Sequence, residues 1–206
     1  MGSKATDAQR LQELLYEALE TEAGGIQIYE AALECAQNED LKKEWGEYLE
    51  QTRTHHEVLL GVFEDLGLDA GARTPGCEVV AHLGQSLVEA MRMAQTRATP
   101  SAAERVACEC VVLAETKDHL NWQLLGHFAE RQSGRAAEVL KKAHDEVMKD
   151  EDHHLFHSKG WCRELWIDAL GMPAVLPPPE EVKQVETAIG ASRAEQSRER
   201  MLKRQR

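Results

Sequence analysis

The feature that most restricts this chain is how rarely its helical pattern is interrupted. From about residue 6 to residue 170, apolar side chains return every three or four positions, the period of a single buried helix face. The breaks are few and carry turn chemistry. Asn38-Glu39 separates two long runs, and the stretch from Gly67 to Gly76 holds three glycines and Pro75. Thr99-Pro100-Ser101 and Ser133-Gly134 precede two further runs, the last of which stops at Gly171 and Pro173. The spacing predicts helices over about residues 6–37, 40–66, 77–95, 102–131 and 135–170. Ser101, with Glu104 three residues on, reads as the N-cap of a capping box.

Four of these runs are long, and the short one lies inside the link between the second long run and the third. Tight links after the first and third long runs make hairpins, and a long crossover lets two hairpins pair. The expected fold is therefore all-α. It is an antiparallel four-helix bundle over residues 1–171, with a helical crossover between its second and third helices. Residues 172–206 are expected to form a separate extension, a stiff Pro177-Pro178-Pro179 spacer followed by a charged helix from Glu180. Only 5% of residues are aromatic, which argues against a β-rich core.

The net charge of −12 disfavours nucleic acid as a general partner. It is unevenly spread: from Arg193 to Arg206 six basic residues face two Glu, a local +4 that leaves −16 on the rest. That segment reads either as a solvated tail or as a basic arm for an acidic surface. No apolar leader follows Met1 and no run reaches the length of a membrane span, so the expectation is a cytoplasmic protein without a membrane partner. The five cysteines include no Cys-x-x-Cys pair and are expected to be reduced, buried thiols.

What demands explanation is the polar content of the apolar stripes. In the first run, Leu11, Leu15, Ala18, Leu19, Ile26, Tyr29 and Leu33 share a face with Glu22 at its middle. In the last, Leu140, Val147, Leu155, Cys162, Leu165 and Ala169 flank Glu151, with His154 one turn on, while His153 and His157 point elsewhere. The second run sets Leu41, Trp45, Leu49, Thr52, Leu60 and Phe63 around His56, with His55 at the edge. The third is apolar almost all round except for Glu115, Asp118 and His119. The heights coincide. Glu22 lies as far before the first turn as His55 and His56 lie after it, and Glu115 and Glu151 are equidistant from Ser133. A buried charge needs a partner, and a metal ion suits carboxylate and imidazole together. The candidate ligands are Glu22, His55, His56, Glu115, Asp118, Glu151 and His154, with one of the two adjacent histidines completing the set.

Those residues resemble the ligand scheme of the ferritin-like di-iron carboxylate proteins, in which Glu comes from the first and third helices and Glu-x-x-His from the second and fourth. Glu22 with Tyr29 resembles the first-helix Glu-x6-Tyr of rubrerythrins. Leu113-Ala114-Glu115 with Asp118 resembles their third helix, and Glu151-Asp152-His153-His154 their fourth. The run from Tyr48 to His55, with Val62 to Gly67 and Cys77, is most similar to the small stress-induced ferritin-like branch. The resemblance implies non-haem iron, as a pair or a single ion, with Mn or Zn as alternatives. It also implies reaction with peroxide or dioxygen in stress or iron handling, and a homo-dimer. Two departures stand out. The second-helix Glu-x-x-His is missing, since position 59 is Leu and a histidine occupies the place of the bridging Glu, and no rubredoxin-type cysteine pairs are present. The rival expectation is a metal-poor stress or scaffold bundle without redox activity, its polar core retained for helix register.

Overall fold

Side-chain caps and left-handed glycines cut this chain into its elements. A computed structural model describes residues 7–180 and contains five helices: α1 Asp7–Cys35, α2 Glu39–Leu66, α3 Pro75–Arg97, α4 Pro100–Arg131 and α5 Arg135–Ala169. No strand occurs among the described residues. Asn38 Oδ1 accepts from the amides of Asp40 and Leu41 and so starts α2. That helix ends in a Schellman turn at Gly67 (φ 67°), where Gly67 N–H donates to Glu64 O and Leu68 N–H to Phe63 O. Thr74 caps α3 and Pro75 takes its first position.

The N-cap of α4 is Thr99, not Ser101. Thr99 has extended dihedrals, its Oγ1 accepts from Ala102 N–H, and Pro100 fills the first helical position. Glu104 therefore makes no capping box. It is buried, and its Oε1 accepts from the amides of Gln37 (2.7 Å) and Asn38 (2.6 Å), tying the α1–α2 turn to α4. The tertiary bond wins because those amides at the helix junction have no backbone partner to take.

α1 touches α2, α3 and α4; α4 touches α5; and α2 touches α5. The four long helices thus each meet the next around a closed ring, while α3 lies only against α1 and α4. The buried positions follow a heptad more closely than a straight helix. In α2 they include Leu41, Trp45, Tyr48, Thr52, His55, Leu59 and Val62, alternating steps of four and three. In α4 they include Glu104, Cys108, Val111, Glu115, Asp118, Trp122 and Leu125, with the same alternation. A straight 3.6-residue projection drifts about 20° per heptad from such a seam. This corrects the α2 stripe: Leu60 is exposed, Leu59 is fully buried, and the inward histidine is His55. Ala169, at the far end of α5, is likewise exposed.

Two separate apolar clusters fill the interior. One contains Tyr29, Leu41, Trp45, Tyr48, Met91, Val111 and Trp161; the other contains Leu15, Leu59, Phe63, Trp122, Leu125, Leu140 and Val147. On every seam the residues between them are polar. After α5 the chain folds back on the helices: Val175 N–H donates to Glu164 Oε2, Leu176 packs on the first cluster and Pro178 is buried. All five cysteines are free thiols, four of them buried. The remainder of the charged segment expected from Glu180 onward, with the basic run 193–206, lies outside the described residues. No described helix is long and apolar enough to cross a membrane.

Candidate metal centre

The polar layer is built from pairs three residues apart. α5 contributes Glu151 and His154, α4 contributes Glu115 and Asp118, α2 contributes His55 with Thr52 one turn before it, and α1 contributes Glu22. All are buried, and Glu22 and His154 are wholly inaccessible. Residues i and i+3 share a helix face, so each pair enters the same layer. On α1 the following turn supplies Gly25, where an added Cβ would stand 3.2 Å from Thr52 Cγ2, so α1 and α2 run close together there.

His55 Nδ1 lies 3.0 Å from Glu151 Oε1 without hydrogen-bond alignment, and 3.9 Å from Glu22 Oε1. His154 Nδ1 lies 3.7 Å from Glu115 Oε2 and 3.9 Å from Glu151 Oε1. Three of these separations exceed a hydrogen bond and the shortest lacks its alignment, as donors converging on a common centre do. Two groups have ligand atoms all within 4.8 Å of one another: His55 with Glu151 and His154, and Glu22 with Asp118 and Glu151. Glu151 belongs to both.

A surrounding set of side chains fixes these donors. Tyr29 OH donates to Glu115 Oε1 (2.7 Å), and Trp122 Nε1–H donates to Glu22 Oε1 (2.7 Å). Gln51 Oε1 lies 2.8 Å from His154 Nε2, so the proton sits on that nitrogen and Nδ1 turns inward with its lone pair. What is left over is a set of buried atoms without hydrogen-bond partners: Glu22 Oε2, both His55 nitrogens, Glu115 Oε2, Asp118 Oδ1, Glu151 Oε2 and His154 Nδ1. Orphaned buried polar atoms are rare and costly. Here they cluster, and each is an atom type that binds cations.

Without a cation the layer answers by holding protons. Burial, then the mutual repulsion of the carboxylates, pushes Glu22, Asp118 and Glu151 well above the usual carboxylate range. Burial also pushes Glu115 up, to about 7, although the Tyr29 bond opposes it. Burial lowers both His55 and His154, so both are neutral imidazoles ready to ligate.

Of the seven candidate ligands read from the sequence, six meet in this layer. His56 does not; it is half-buried beside the seam and belongs to no donor group. His119 turns away to Asp152, 2.8 Å from its Oδ1, and to the Phe156 ring. Gln51 and Trp122 were invisible as site residues, although Trp122 falls one turn beyond Asp118 on the same seam. The structure also assembles a third donor group outside this layer, Glu44 with His153 and His157, for which the only sequence signal is two histidines one turn apart on α5. Comparison with family models, with curated proteins and with solved structures finds no match.

Proposed function

We propose that this chain is a ferritin-like protein whose polar layer holds a pair of divalent ions that react with peroxide or dioxygen. In this reading α1, α2, α4 and α5 are an antiparallel four-helix bundle over residues 1–171, α3 is its crossover, and residues 172–206 are an appended segment. The supporting observation is the pair of three-residue donor groups that share Glu151, the arrangement a bridging carboxylate needs. The helix-two departure also gains a physical account. In place of the register that put a histidine at the bridging Glu and Leu59 at the histidine, His55 takes the place of the family's second-helix histidine and Thr52 that of its glutamate. Asp118 returns that carboxylate from α4, so the layer keeps four carboxylates and two imidazoles. Four ionised carboxylates balance two divalent ions.

Iron, the metal that suits mixed oxygen and imidazole donors around an open position, would supply electrons to the oxidant when bound; Mn is the redox-active alternative, and Zn would fill the same donors without that chemistry. The chain's own residues do the rest. Glu22, Glu115, Asp118, Glu151, His55 and His154 bind, Tyr29 and Trp122 orient Glu115 and Glu22, and Gln51 sets the His154 tautomer. The two apolar clusters on either side exclude water. The expected partners are the small oxidant and a second copy of the chain in a homo-dimer. Anaerobic loading with Fe(II), elemental analysis after desalting and an oxidation time course on adding peroxide test this reading. Protein that retains no metal and oxidises no Fe(II) above background sinks it.

Thr52 favours a second reading, a metal-poor bundle whose layer holds protons and serves helix register. Melting curves of the wild type and of Glu151→Ala with and without Fe(II), Mn(II) or Zn(II) separate the two, because only a true central site gives a metal-dependent rise in melting temperature that Glu151→Ala diminishes.

A further inference from the structure

Beyond the central layer, one other cluster of metal-binding side chains lies on the α2–α5 flank. His153 and His157 are one turn apart on α5 and their rings stack, with centroids 5.2 Å apart and planes 11° from parallel. Across the helix interface Glu44 of α2 faces them. A Glu44 oxygen and one nitrogen of each ring lie within 4.8 Å of one another. The fourth side comes from the returning chain: Glu180 Oε2 lies 2.6 Å from His153 Nε2 and 3.9 Å from His157 Nδ1.

We propose that Glu44, His153, His157 and Glu180 form a second metal site, separate from the central layer, that takes a divalent cation of the Zn(II) class. Two imidazoles and two carboxylates are the donor number and type that a closed tetrahedral Zn(II) site uses. Histidines spaced i and i+4 present their nitrogens on one helix face, so α5 is preorganised to chelate. Glu44 is held in place by an outer set of donors, as metal-binding carboxylates are: Trp161 Nε1–H donates to its Oε2 at 2.8 Å, and Tyr48 OH donates to its Oε1.

His157 Nδ1 and Glu44 Oε1 are 2.5 Å apart, joined by a hydrogen bond through one proton. Neighbouring donors around a tetrahedral zinc stand about 3.3 Å apart, so binding opens this contact by less than ~1 Å and releases the proton. The cluster differs from the central layer in access. His157 is sealed, but His153 is about a quarter exposed and Glu180 mostly exposed, so an ion reaches it directly from solvent. It also has a structural consequence. An ion there ties α2, α5 and the segment that follows the Pro177-Pro178-Pro179 run into one clamp, adding to the contact of His157 Nε2 with Pro178 O.

The test counts Zn(II) retained by the full chain after desalting and measures its affinity by calorimetric titration. The wild type is compared with His153→Ala and with Glu180→Gln, both changes at accessible side chains, and thermal melts confirm that each variant folds. The proposal expects the His153→Ala variant to bind one equivalent fewer, and the Glu180→Gln variant to bind that equivalent at least about tenfold more weakly. Equal stoichiometry and affinity in all three chains overturns it. The central reading fails separately. If the wild type binds a single equivalent and the His153→Ala variant none, this site stands and the central layer holds no zinc. If the wild type and the His153→Ala variant bind the same number, this site falls whatever the central layer does.

Discussion

The central layer and the flank cluster are made of the same residue types and are satisfied in opposite ways. Glu22, His55, Glu115, Asp118, Glu151 and His154 leave seven buried atoms without partners. Around Glu44, by contrast, each carboxylate oxygen accepts a hydrogen bond, and His157 uses both ring nitrogens. The two are neighbours: the Tyr48 ring lies 4.2 Å from His154, while its hydroxyl reaches Glu44. Buried Glu and His can thus stand satisfied or unsatisfied before any ion binds, and the partner count says what the cluster costs in that state. A satisfied cluster contributes to stability without metal. An unsatisfied one costs stability until a cation arrives.

Perturbing the two clusters should therefore differ most in the presence of chelator, where only the flank is already satisfied, and Glu151 offers the largest metal-dependent effect. Both central donor groups need it, so, in a His153→Ala background that removes the flank site, Glu151→Ala should abolish the stabilisation that metal gives through the central layer. That stabilisation is about 2.7 kcal/mol at free metal one hundred times Kd, read as the shift in melting temperature. In the presence of chelator the same variant should lose far less, because it removes a buried acid that repels Glu115 and Asp118. A variant that melts far below the wild type in chelator, with its metal response unchanged, would reverse the assignment. On the flank, Glu44→Ala should destabilise the chelator-treated protein directly. It strands Trp161 Nε1, at about 1–3 kcal/mol for a buried donor measured by denaturant midpoint, and leaves Tyr48 OH only its 3.4 and 3.5 Å contacts with His157 and His153.

A pH series sharpens the contrast. Carboxyls whose folded pKa is raised stabilise the fold while protonated, and that contribution disappears as pH rises through the folded value. Lowered histidines work the other way, but above 6.5, their ordinary value, their contribution is complete and constant. Between about pH 6.5 and 8 the metal-free melting temperature should fall, with Glu115, pushed up to about 7, titrating inside that window. His157, raised by its bond to Glu44, pulls in the same direction, so the wild-type slope alone does not assign the effect. Glu115→Gln does, because Tyr29 OH can still donate to an amide oxygen that no longer ionises. It should flatten the decline measurably, and saturating metal should invert it, since binding releases the ligands' protons. An unchanged slope in Glu115→Gln would remove the central layer from this account.

The helices and the central layer were legible because punctuation and polar residues on apolar stripes are local signals. Each of α1, α2, α4 and α5 differs from the run read for it by only a few terminal residues; five of the seven candidate ligands fall in the two central donor groups, and Glu115 lies 3.7 Å from His154 beside them. The flank cluster was not legible. Projection along α5 shows that His153 and His157 leave the central stripe, but not that Glu44 of α2 faces them. That pairing depends on how two helices lean, and on a chain that folds back over Pro178 to deliver Glu180. Glu104 was misplaced for a similar reason, since its true partners lie on the α1–α2 turn rather than in its own first turn.

The smallest expected effect tests the seam itself. A straight-helix projection over α2 centres the stripe on His56 and places Leu60 inside, whereas alternating steps of four and three run Tyr48, Thr52, His55, Leu59, Val62. The two descriptions differ by one residue, and a drift of about 20° per heptad reaches roughly 40–60° over two to three heptads, about half of the ~100° between neighbours and enough to switch which of them faces inward. They make separate predictions at adjacent positions. On the seam, His55→Ala removes a buried imidazole set 3.0 Å from Glu151 and should weaken metal binding at least about tenfold. Beside it, His56 is half-buried and belongs to no donor group, so His56→Ala should change stability by no more than about 0.5 kcal/mol and leave metal affinity unaltered. If the His56 variant loses metal and the His55 variant keeps it, α2 is turned by one residue from the arrangement described, and Thr52 no longer occupies the place of the missing carboxylate.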